Sequence, residues 1–424
     1  MSRRCRPLGA GLRDAPPHGM EGRTEPSGDH GPGRGGILER HSRRRELPPP
    51  PGAAQDAGMD APPMTRCTIR SLAVRAVDVP LAPPLQTAAG AIRSAPLVLV
   101  DLLTEQGVTG SAYLFAYTPS ALAPAAAMVV GLEPSLQGQV LAPLALNQAL
   151  AARFRLLGTQ GLVGMALAAV DMAAWDAHAR ALGLPLARLL GAAGTERTPA
   201  YASLRGWTAS ELAEEAGQAV ARGFRAVKLK FGHPTLEAEL DVLRAVRGAV
   251  GEGVAVMVDA NQAFTVPEAT RRAAAYDDAG LTWLEEPVAA GDLAGHAAVA
   301  RAARTPVQRG ENDWGPQDLA RALAAGAGDL VMPDANKIGG VTGWMRAAAL
   351  AEAAGVPVSS HVFVEFSSHL LAATPGRHWM EWLDFAGPVL ASGTPELRDG
   401  GVAPLDSPGA GLVWDEAAIQ RYQV

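Results

Sequence analysis

Cysteine is almost absent from this sequence, which excludes scaffolds held together by disulfides or zinc. The two cysteines of the 424-residue chain, Cys5 and Cys67, belong to no Cys-x-x-Cys pair and to no cluster with histidine. The spacing therefore predicts neither a zinc site nor a disulfide framework. Reduced thiols in a reducing compartment are the simplest interpretation, and they favour a cytoplasmic protein.

Long apolar runs and an excess of positive charge are also missing. No apolar run reaches the roughly 18 residues that a membrane-spanning helix needs, so we expect no membrane partner. The net charge of −6 argues against a nucleic-acid partner, which usually requires a basic face. With 48% hydrophobic and 19% charged residues, the chain has a globular composition and is long enough for two domains.

Residues 1–63 differ from the rest of the chain. They are rich in Arg, Pro and Gly and carry no amphipathic or alternating pattern, so they cannot bury enough apolar surface to order themselves. No apolar stretch follows the basic start, which argues against a signal peptide, and the acidic residues and prolines argue against a transit peptide. We interpret the segment as a disordered extension or as a start assigned too early, with Met59 or Met64 as the true start.

Residues 64–195 read as an α+β domain. Two strand-like segments precede several helix-like segments without regular alternation, which is typical of this class. The strands are expected at 68–80 and 96–103, and the helices at about 120–132, 144–156 and 164–181.

Residues 196–385 have a different pattern, in which short apolar segments alternate with amphipathic helical ones. Eight strands with intervening helices predict a TIM-like barrel, so the whole chain belongs to the α/β class with an α+β domain in front. The strands are expected at 199–203, 226–230, 254–259, 281–285, 306–310, 330–334, 357–361 and 378–382. Residues 386–424 have too little pattern for a further barrel unit.

Three acidic residues stand at consecutive strand ends. Asp259, Glu285 and Glu311 follow the third, fourth and fifth strands, so their carboxylates should converge at the barrel mouth. Three such groups repel one another unless a cation joins them, and an oxygen-only set favours Mg²⁺, with Mn²⁺ as the alternative. Each acid alone could be a solvated helix cap, but three on adjacent strands favour the metal.

Lysine and histidine residues flank these acids. Lys228 and Lys230 share one face of the second strand, and two buried cations are costly unless they serve anions. We expect each to lower the pKa of the other, so that one acts as a neutral base and the other holds a substrate carboxylate; the alternative is that one extends to solvent. His361 ends the seventh strand, and Asp334 on the sixth would orient its ring.

Glu381 on the eighth strand is expected to act as a protonated acid toward the substrate carboxylate. A structural ion pair, with Lys337 or with an arginine, is the alternative.

These residues resemble the enolase superfamily, and within it the mandelate racemase subgroup. The likeness extends from about Met64 to Val424 and rests on the strings FRAVKLK, MVDANQ, TWLEEP, GEN, MPDANKIGGVTGW, SSHVF and HLLAATP, with YLFAYTP and DMAAWDA in the first domain. It implies a capping domain (64–195), a modified (β/α)7β barrel (196–385) and a C-terminal segment (386–424) that returns to the cap. It also implies a homo-oligomer, often an octamer.

The resemblance assigns a role to each residue of the predicted site. Asp259, Glu285 and Glu311 would bind the metal, while Lys230 and His361, the latter paired with Asp334, would exchange the α-proton on opposite faces of the substrate through an enediolate. Lys228 would neutralise the carboxylate, and Glu381 would donate a hydrogen bond or proton to it. Asn261 would contact the substrate hydroxyl or a metal-bound oxygen, with Ser203 beside the site.

The resemblance also places an apolar pocket under a cap loop at 83–94. Its walls would be Leu85, Ile92, Phe115 and Tyr117, with Val362 and Leu383 completing it, although each of these could be ordinary core. Such a pocket favours an aryl or bulky alkyl group over a sugar chain. Departures from the family pattern occur at Leu85, Ile92, Ala202, Ala260, Trp382 and the stretch 204–208. These departures do not affect the acid–base residues, but they leave the identity of the substrate undetermined.

The predicted function is Mg²⁺-dependent racemisation of mandelate or a similar aryl 2-hydroxy acid. A sugar-acid dehydratase is the alternative, because it uses the same Lys/His pair but expels the 3-hydroxyl. Cycloisomerase chemistry fits less well, since it normally lacks the strand-seven histidine. A non-catalytic metal-binding scaffold would have no need for both bases and the acid.

Overall fold

The computed structural model describes residues 66–194 and 197–424. The hypotheses about residues 1–63 and about a start at Met59 or Met64 fall outside these ranges, as does the predicted domain boundary at 195–196. Within the described ranges, no helix has both the length and the apolar character that crossing a membrane would require.

The first part of the chain forms a three-stranded antiparallel sheet with helices on one side. Its strands are β1 (Ile69–Thr87), β2 (Gly90–Thr104) and β3 (Thr109–Phe115), in the order β1-β2-β3. The first two form a long hairpin whose tip pairs Thr87 with Gly90, with a register shift between Pro80 and Leu85. The helices are α1 (Pro119–Val130), α2 (Glu133–Leu136), α3 (Pro143–Arg153), α4 (Gly161–Ala181) and α5 (Leu186–Leu189).

Helix α4 is buried on nearly every face because it lies between this sheet and barrel helix α11 (Gly340–Ala354). Its small side chains allow close approach: a Cβ added to Gly110 of β3 would lie 2.1 Å from the carbonyl oxygen of Ala173. An alanine-rich sequence at this position is therefore a packing requirement as well as a helix signal.

The second part of the chain is a closed barrel. Parallel neighbours run in order through β4 (Thr198–Ser203), β5 (Ala226–Lys230), β6 (Ala255–Asp259), β7 (Leu284–Glu285), β8 (Val307–Arg309) and β9 (Leu330–Val331), and β10 (Met380–Trp382) pairs with β4. The predicted strand at 357–361 differs: it pairs only through isolated parallel bridges at Val358 and His361. Pro357 has no N–H to donate to a ladder, which limits continuous pairing there.

Helices follow the first seven barrel strands and cover the barrel's outside. They are α6 (Ala209–Ala221), α7 (Leu236–Val250), α8 (Val266–Tyr276), α9 (Leu293–Ala302), α10 (Gly315–Ala325), α11 and α12 (Val364–Ala372). Several begin at a capping side chain; Thr208 and Glu211 form a capping box at α6. The eighth strand is followed by no such helix in the described stretch 383–424, so the predicted (β/α)7β architecture is confirmed.

After β10 the chain adds a short hairpin to the barrel sheet, antiparallel to β4, and its last residues return to the first sheet. It forms a 3-10 turn (Gly387–Val389), β11 (Leu390–Ser392), β12 (Leu397–Arg398), β13 (Gly401–Val402), β14 (Val413–Trp414) and α13 (Glu416–Tyr422). The indole N–H of Trp414 donates to Asp101 on β2 at 2.7 Å, and Arg75 on β1 donates to Glu416. These contacts tie the end of the chain to the cap.

Candidate functional site

The three predicted metal ligands converge at the carboxyl ends of neighbouring strands. Asp259 and Glu285 end β6 and β7 and are paired in register, and Glu311 follows β8 by two residues. One oxygen of each carboxylate lies within 4.8 Å of an oxygen of the other two, and all three residues are buried. The three acidic residues therefore lie together, as their positions at consecutive strand ends predicted.

This cluster has the charge and donor chemistry that a divalent cation requires. Burial and the charge of Asp259 hold the pKa of Glu285 well above its ordinary value, and burial together with Glu311 raises the pKa of neighbouring Glu286 to about 8. Glu311 Oε2, although buried, accepts no hydrogen bond from any described residue. Three buried carboxylates that offer only oxygen donors fit Mg²⁺.

Lys228 and Lys230 both lie inside the barrel mouth and do not extend to solvent. Lys230 Nζ contacts the carboxylate of Asp259, and Lys228 Nζ donates to Glu285 Oε1 at 2.7 Å. Burial alone would lower both pKa values, and Lys228 also lowers the pKa of Lys230, as expected. The surrounding carboxylates nevertheless outweigh these effects, so both pKa values are raised. A cation on Asp259 would oppose the shift at Lys230, because it compensates the same charge.

His361 and Asp334 form the expected dyad on the other side of the acid cluster. The distance from His361 Nδ1 to Asp334 Oδ2 is 2.7 Å, and His361 Nε2 lies 3.3 Å from Glu311 Oε2. Asp334 Oδ1 accepts the backbone N–H groups of Asn336 and Lys337 at 2.8 and 3.0 Å, so the carboxylate is fixed. Burial would lower the pKa of His361, but Glu311 and Asp334 raise it.

Glu381 differs from the neutral acid that the sequence suggested. Its Oε1 lies 2.8 Å from Lys228 Nζ, and its Oε2 accepts the N–H of Val362 at 3.0 Å. Burial would raise the pKa of Glu381, but Lys228 and His361 lower it to about 2. An ion pair is therefore present at Glu381, but its partner is Lys228; the ammonium of Lys337 donates to Asn312 Oδ1 at 2.7 Å instead.

Asn261 and Ser203 offer free polar atoms beside the cluster. The side-chain amide of Asn261 donates to Asp259 at 2.9 Å, and its backbone N–H donates to the same carboxylate at 2.8 Å. The buried Asn261 Oδ1 and Ser203 Oγ have no hydrogen-bond partner among residues 66–194 and 197–424. Both are therefore available to a polar ligand.

Two of the expected pocket residues bind the barrel directly. Tyr117, at a left-handed φ of 61°, donates its hydroxyl to Asp334 Oδ2 at 2.8 Å, so it is more than an apolar wall. The ring of Phe115 packs in a tilted arrangement against Tyr117 and Phe385, each with ring centroids 4.5 Å apart, and its backbone N–H donates to Asn336. Sequence reasoning missed the hydrogen bond because no local pattern predicts the left-handed backbone at Tyr117.

The other four expected pocket residues are apolar side chains of the hairpin and of the barrel mouth. Leu85 and Ile92 pair across the hairpin; Leu85 is buried and Ile92 is half-buried. Val362 and Leu383 are both buried. All four belong to one continuous apolar core, so these positions also serve as packing.

Three further residues hold the acid cluster from the barrel side and were not predicted from the sequence. The indole N–H of Trp283 donates to Glu285 Oε2 at 2.9 Å, and Asn312 links Lys337 to Glu286 through hydrogen bonds of 2.7 Å. The signal for Trp283 was its position two residues before Glu285, which puts both side chains on one face of a strand.

Two family models match consecutive parts of the chain. Mandelate racemase / muconate lactonizing enzyme, N-terminal domain, matches residues 69–191. Enolase C-terminal domain-like matches residues 211–418.

Similar proteins share the fold and differ in reaction. A solved enolase from Bradyrhizobium, complexed with magnesium and mandelic acid, is 45% identical, with a TM-score of 0.81 over 85% of this chain and 99% of that one. The 3,6-anhydro-alpha-L-galactonate cycloisomerase of Streptomyces coelicolor is 32% identical, over 79% of this chain and 93% of the cycloisomerase. The L-talarate/galactarate dehydratase of Salmonella typhimurium is 34% identical, over 63% of this chain and 68% of the dehydratase.

Proposed function

This chain belongs to the mandelate racemase and muconate lactonizing enzyme family of the enolase superfamily, and from that premise we propose that it racemises mandelate or a similar aryl 2-hydroxy acid. It is a magnesium-dependent enzyme of that superfamily. One observation carries the two-base part of the proposal: Lys230 contacts Asp259 on one side of the acid cluster, and His361 contacts Glu311 on the other. Two proton carriers on opposite sides of one ligand site are what inversion at carbon requires.

The reaction requires a very weakly acidic α-proton to leave a carbon next to a carboxylate. Asp259, Glu285 and Glu311 would hold the Mg²⁺, which supplies electrostatic stabilisation of the charge that develops on the substrate carboxylate. Lys228, fully buried and aimed at the same place, would bind a carboxylate oxygen. These interactions promote turnover only if they strengthen as the enediolate forms.

Proton transfer would then run in either direction. With one enantiomer, neutral Lys230 takes the α-proton and protonated His361 returns one to the opposite face; with the other enantiomer the roles reverse. Asp334 would stabilise the imidazolium through its 2.7 Å contact with Nδ1. Glu381 would contact the substrate carboxylate beside Lys228.

The aryl preference is supported by the aromatic pair at the cap and by a relative. Phe115 and Tyr117 pack against each other beside the His361 dyad. The Bradyrhizobium enolase, at 45% identity over 99% of its length, holds mandelic acid together with magnesium.

A sugar-acid dehydratase is the second candidate, and a specific observation favours it. The unpartnered Ser203 Oγ and Asn261 Oδ1 would suit the extra hydroxyl groups of a sugar acid. The 34% identity to the talarate/galactarate dehydratase points the same way.

The deciding experiment incubates the full-length enzyme and Mg²⁺ with (R)-mandelate, (S)-mandelate and galactarate in separate reactions. Racemisation predicts loss of optical rotation with no 2-keto acid, read by polarimetry and a semicarbazide assay. A 2-keto acid from galactarate with unchanged mandelate rotation would replace the racemase proposal by the dehydratase one.

Single-base variants test the two-base mechanism. Lys230→Ala and His361→Asn should each reduce racemisation by about 10²–10⁴-fold or more. In D₂O, each variant should still exchange the α-proton of one enantiomer, and the two variants should choose opposite enantiomers by proton NMR. His296→Asn, a buried histidine on α9 away from the site, serves as the control. Full racemisation by either single-base variant would end this mechanism.

A further inference from the structure

Trp283 lies directly beneath the acid cluster, inside the barrel. Its side chain is fully buried and meets Tyr201 edge-on, with ring centroids 5.4 Å apart. Trp283 immediately precedes β7, and its indole projects into the barrel, where it packs with Tyr201 and Met257. A buried indole N–H needs an acceptor, and here it is Glu285 Oε2 at 2.9 Å.

The two oxygens of Glu285 are held by donors of different kinds. Lys228 Nζ donates to Oε1 at 2.7 Å and brings a positive charge that competes with a metal ion. The indole of Trp283 is a neutral donor, so it fixes Oε2 without neutralising the carboxylate. A carboxylate oxygen has a second lone pair, which leaves Oε2 able to accept the indole N–H while the carboxylate binds a cation.

We propose that Trp283 is a positioning residue of the metal centre, which fixes the Glu285 carboxylate in the orientation that binds Mg²⁺. The inference rests on the ligand set of the proposed function and is independent of the substrate. Donors that orient metal ligands typically change metal affinity by about 10- to 100-fold when they are removed.

The test compares two tryptophan truncations in the full-length enzyme. Trp283→Phe should raise the Kd for Mg²⁺ about 10-fold or more, measured by isothermal titration calorimetry without substrate. Trp344→Phe is the matched control, because Trp344 is equally buried and donates to a neutral acceptor, Thr374 Oγ1, at 2.9 Å. Its Kd should stay within about twofold of the wild type, although both variants lose a buried ring and a hydrogen bond.

A second variant separates the hydrogen bond from packing. Benzothienylalanine at position 283 keeps the shape of the side chain and replaces the N–H by sulfur, so it should show the same weakening of Mg²⁺ binding with the core intact. Unchanged Mg²⁺ affinity in this isosteric variant overturns the inference. Failure of the wild type to bind Mg²⁺ at all would overturn the ligand assignment itself, whereas Mg²⁺ binding without racemisation would refute only the proposed reaction.

Discussion

Lysine occurs in this chain only at the barrel mouth. Among the 37 lysine and arginine residues there are three lysines, Lys228, Lys230 and Lys337, and all three are buried there. Arginine stays protonated at any accessible pH, whereas a buried lysine can lose its proton. All of the other residues in this count are arginines. The basic side chain that can exchange a proton thus occurs only at the site.

Tyr117 shows how a cap residue acts on the chemistry at the residue scale. Its hydroxyl and the ring of His361 share one oxygen of Asp334. The hydrogen bond therefore restrains only the base on the His361 side of the site, whereas Lys230 has no contact with it.

Removing that hydroxyl should affect the two enantiomers unequally. Tyr117→Phe should slow exchange of the α-proton that His361 handles by about 5- to 10-fold, the value of one hydrogen bond, and leave Lys230-dependent exchange within about twofold. Deuterium incorporation into each enantiomer measures this. Tyr113→Phe, which removes a hydroxyl bonded to Glu365 instead, is the control. Equal slowing of both enantiomers would show that Tyr117 acts only through packing.

At the scale of elements, apolar periodicity was sufficient to predict the barrel. Seven of the eight expected strands appear as strands, because buried parallel strands leave short apolar runs between helices. The segment at 357–361 has the same apolar signature but pairs only through bridges, since pairing depends on partners that are distant in sequence. The short strands β11 to β14 were not predicted, because each has two or three residues and they do not alternate with amphipathic helices as the barrel strands do.

The contact between β3 and α4 depends on the absence of a single side chain. Gly110→Ala should lower the free energy of unfolding by about 1–3 kcal/mol or more, because its Cβ would overlap the backbone of Ala173. Gly217→Ala on α6, where an added Cβ meets nothing within 4 Å, should instead be neutral or stabilising by up to about 1 kcal/mol. Urea denaturation of both variants checks this, and equal effects would contradict it.

The contact between α4 and α11 should make stability depend on pH through Asp171. Its carboxylate accepts the N–H of Thr342 at 2.9 Å, and burial raises its pKa to about 7. The folded state then binds more protons than the unfolded state between about pH 4 and pH 7, so this group makes stability fall as pH rises there. The slope is at most about 1.4 kcal/mol per pH unit.

Asp171→Asn should remove that slope. The difference in unfolding free energy between wild type and variant, from urea denaturation at pH 5, 6 and 7, should shift in favour of the variant as pH rises. Asp241→Asn, a half-exposed carboxylate on α7, controls for the loss of one charge. A parallel pair of stability curves for Asp171→Asn and wild type would mean that this carboxyl is ionised throughout.

At the scale of the whole molecule, the site draws on cap and barrel together. Positions of charged residues could be predicted from strand ends, because chain direction in a parallel barrel fixes which ends meet. Their protonation could not be predicted, since the pKa of Glu381 and the pKa of Lys230 each depend on buried charges that other strand ends contribute. Tertiary burial, which no local pattern contains, sets that balance.

Because all three lysines are buried at the site, chemical modification of lysine can be tested on the whole enzyme. With Lys228, Lys230 and Lys337 between 0% and 8% exposed, an amine-directed reagent such as trinitrobenzenesulfonate should modify these lysines slowly in the folded enzyme. Loss of activity should therefore increase in proportion to lysine modification. Mg²⁺ together with substrate should slow the modification and the loss of activity, because they occupy the barrel mouth. Peptide mass spectrometry against residual activity measures the correlation, with urea-unfolded protein as the control for intrinsic reactivity. Rapid modification of all three lysines in the folded enzyme, with activity retained, would mean that these side chains are neither enclosed nor needed.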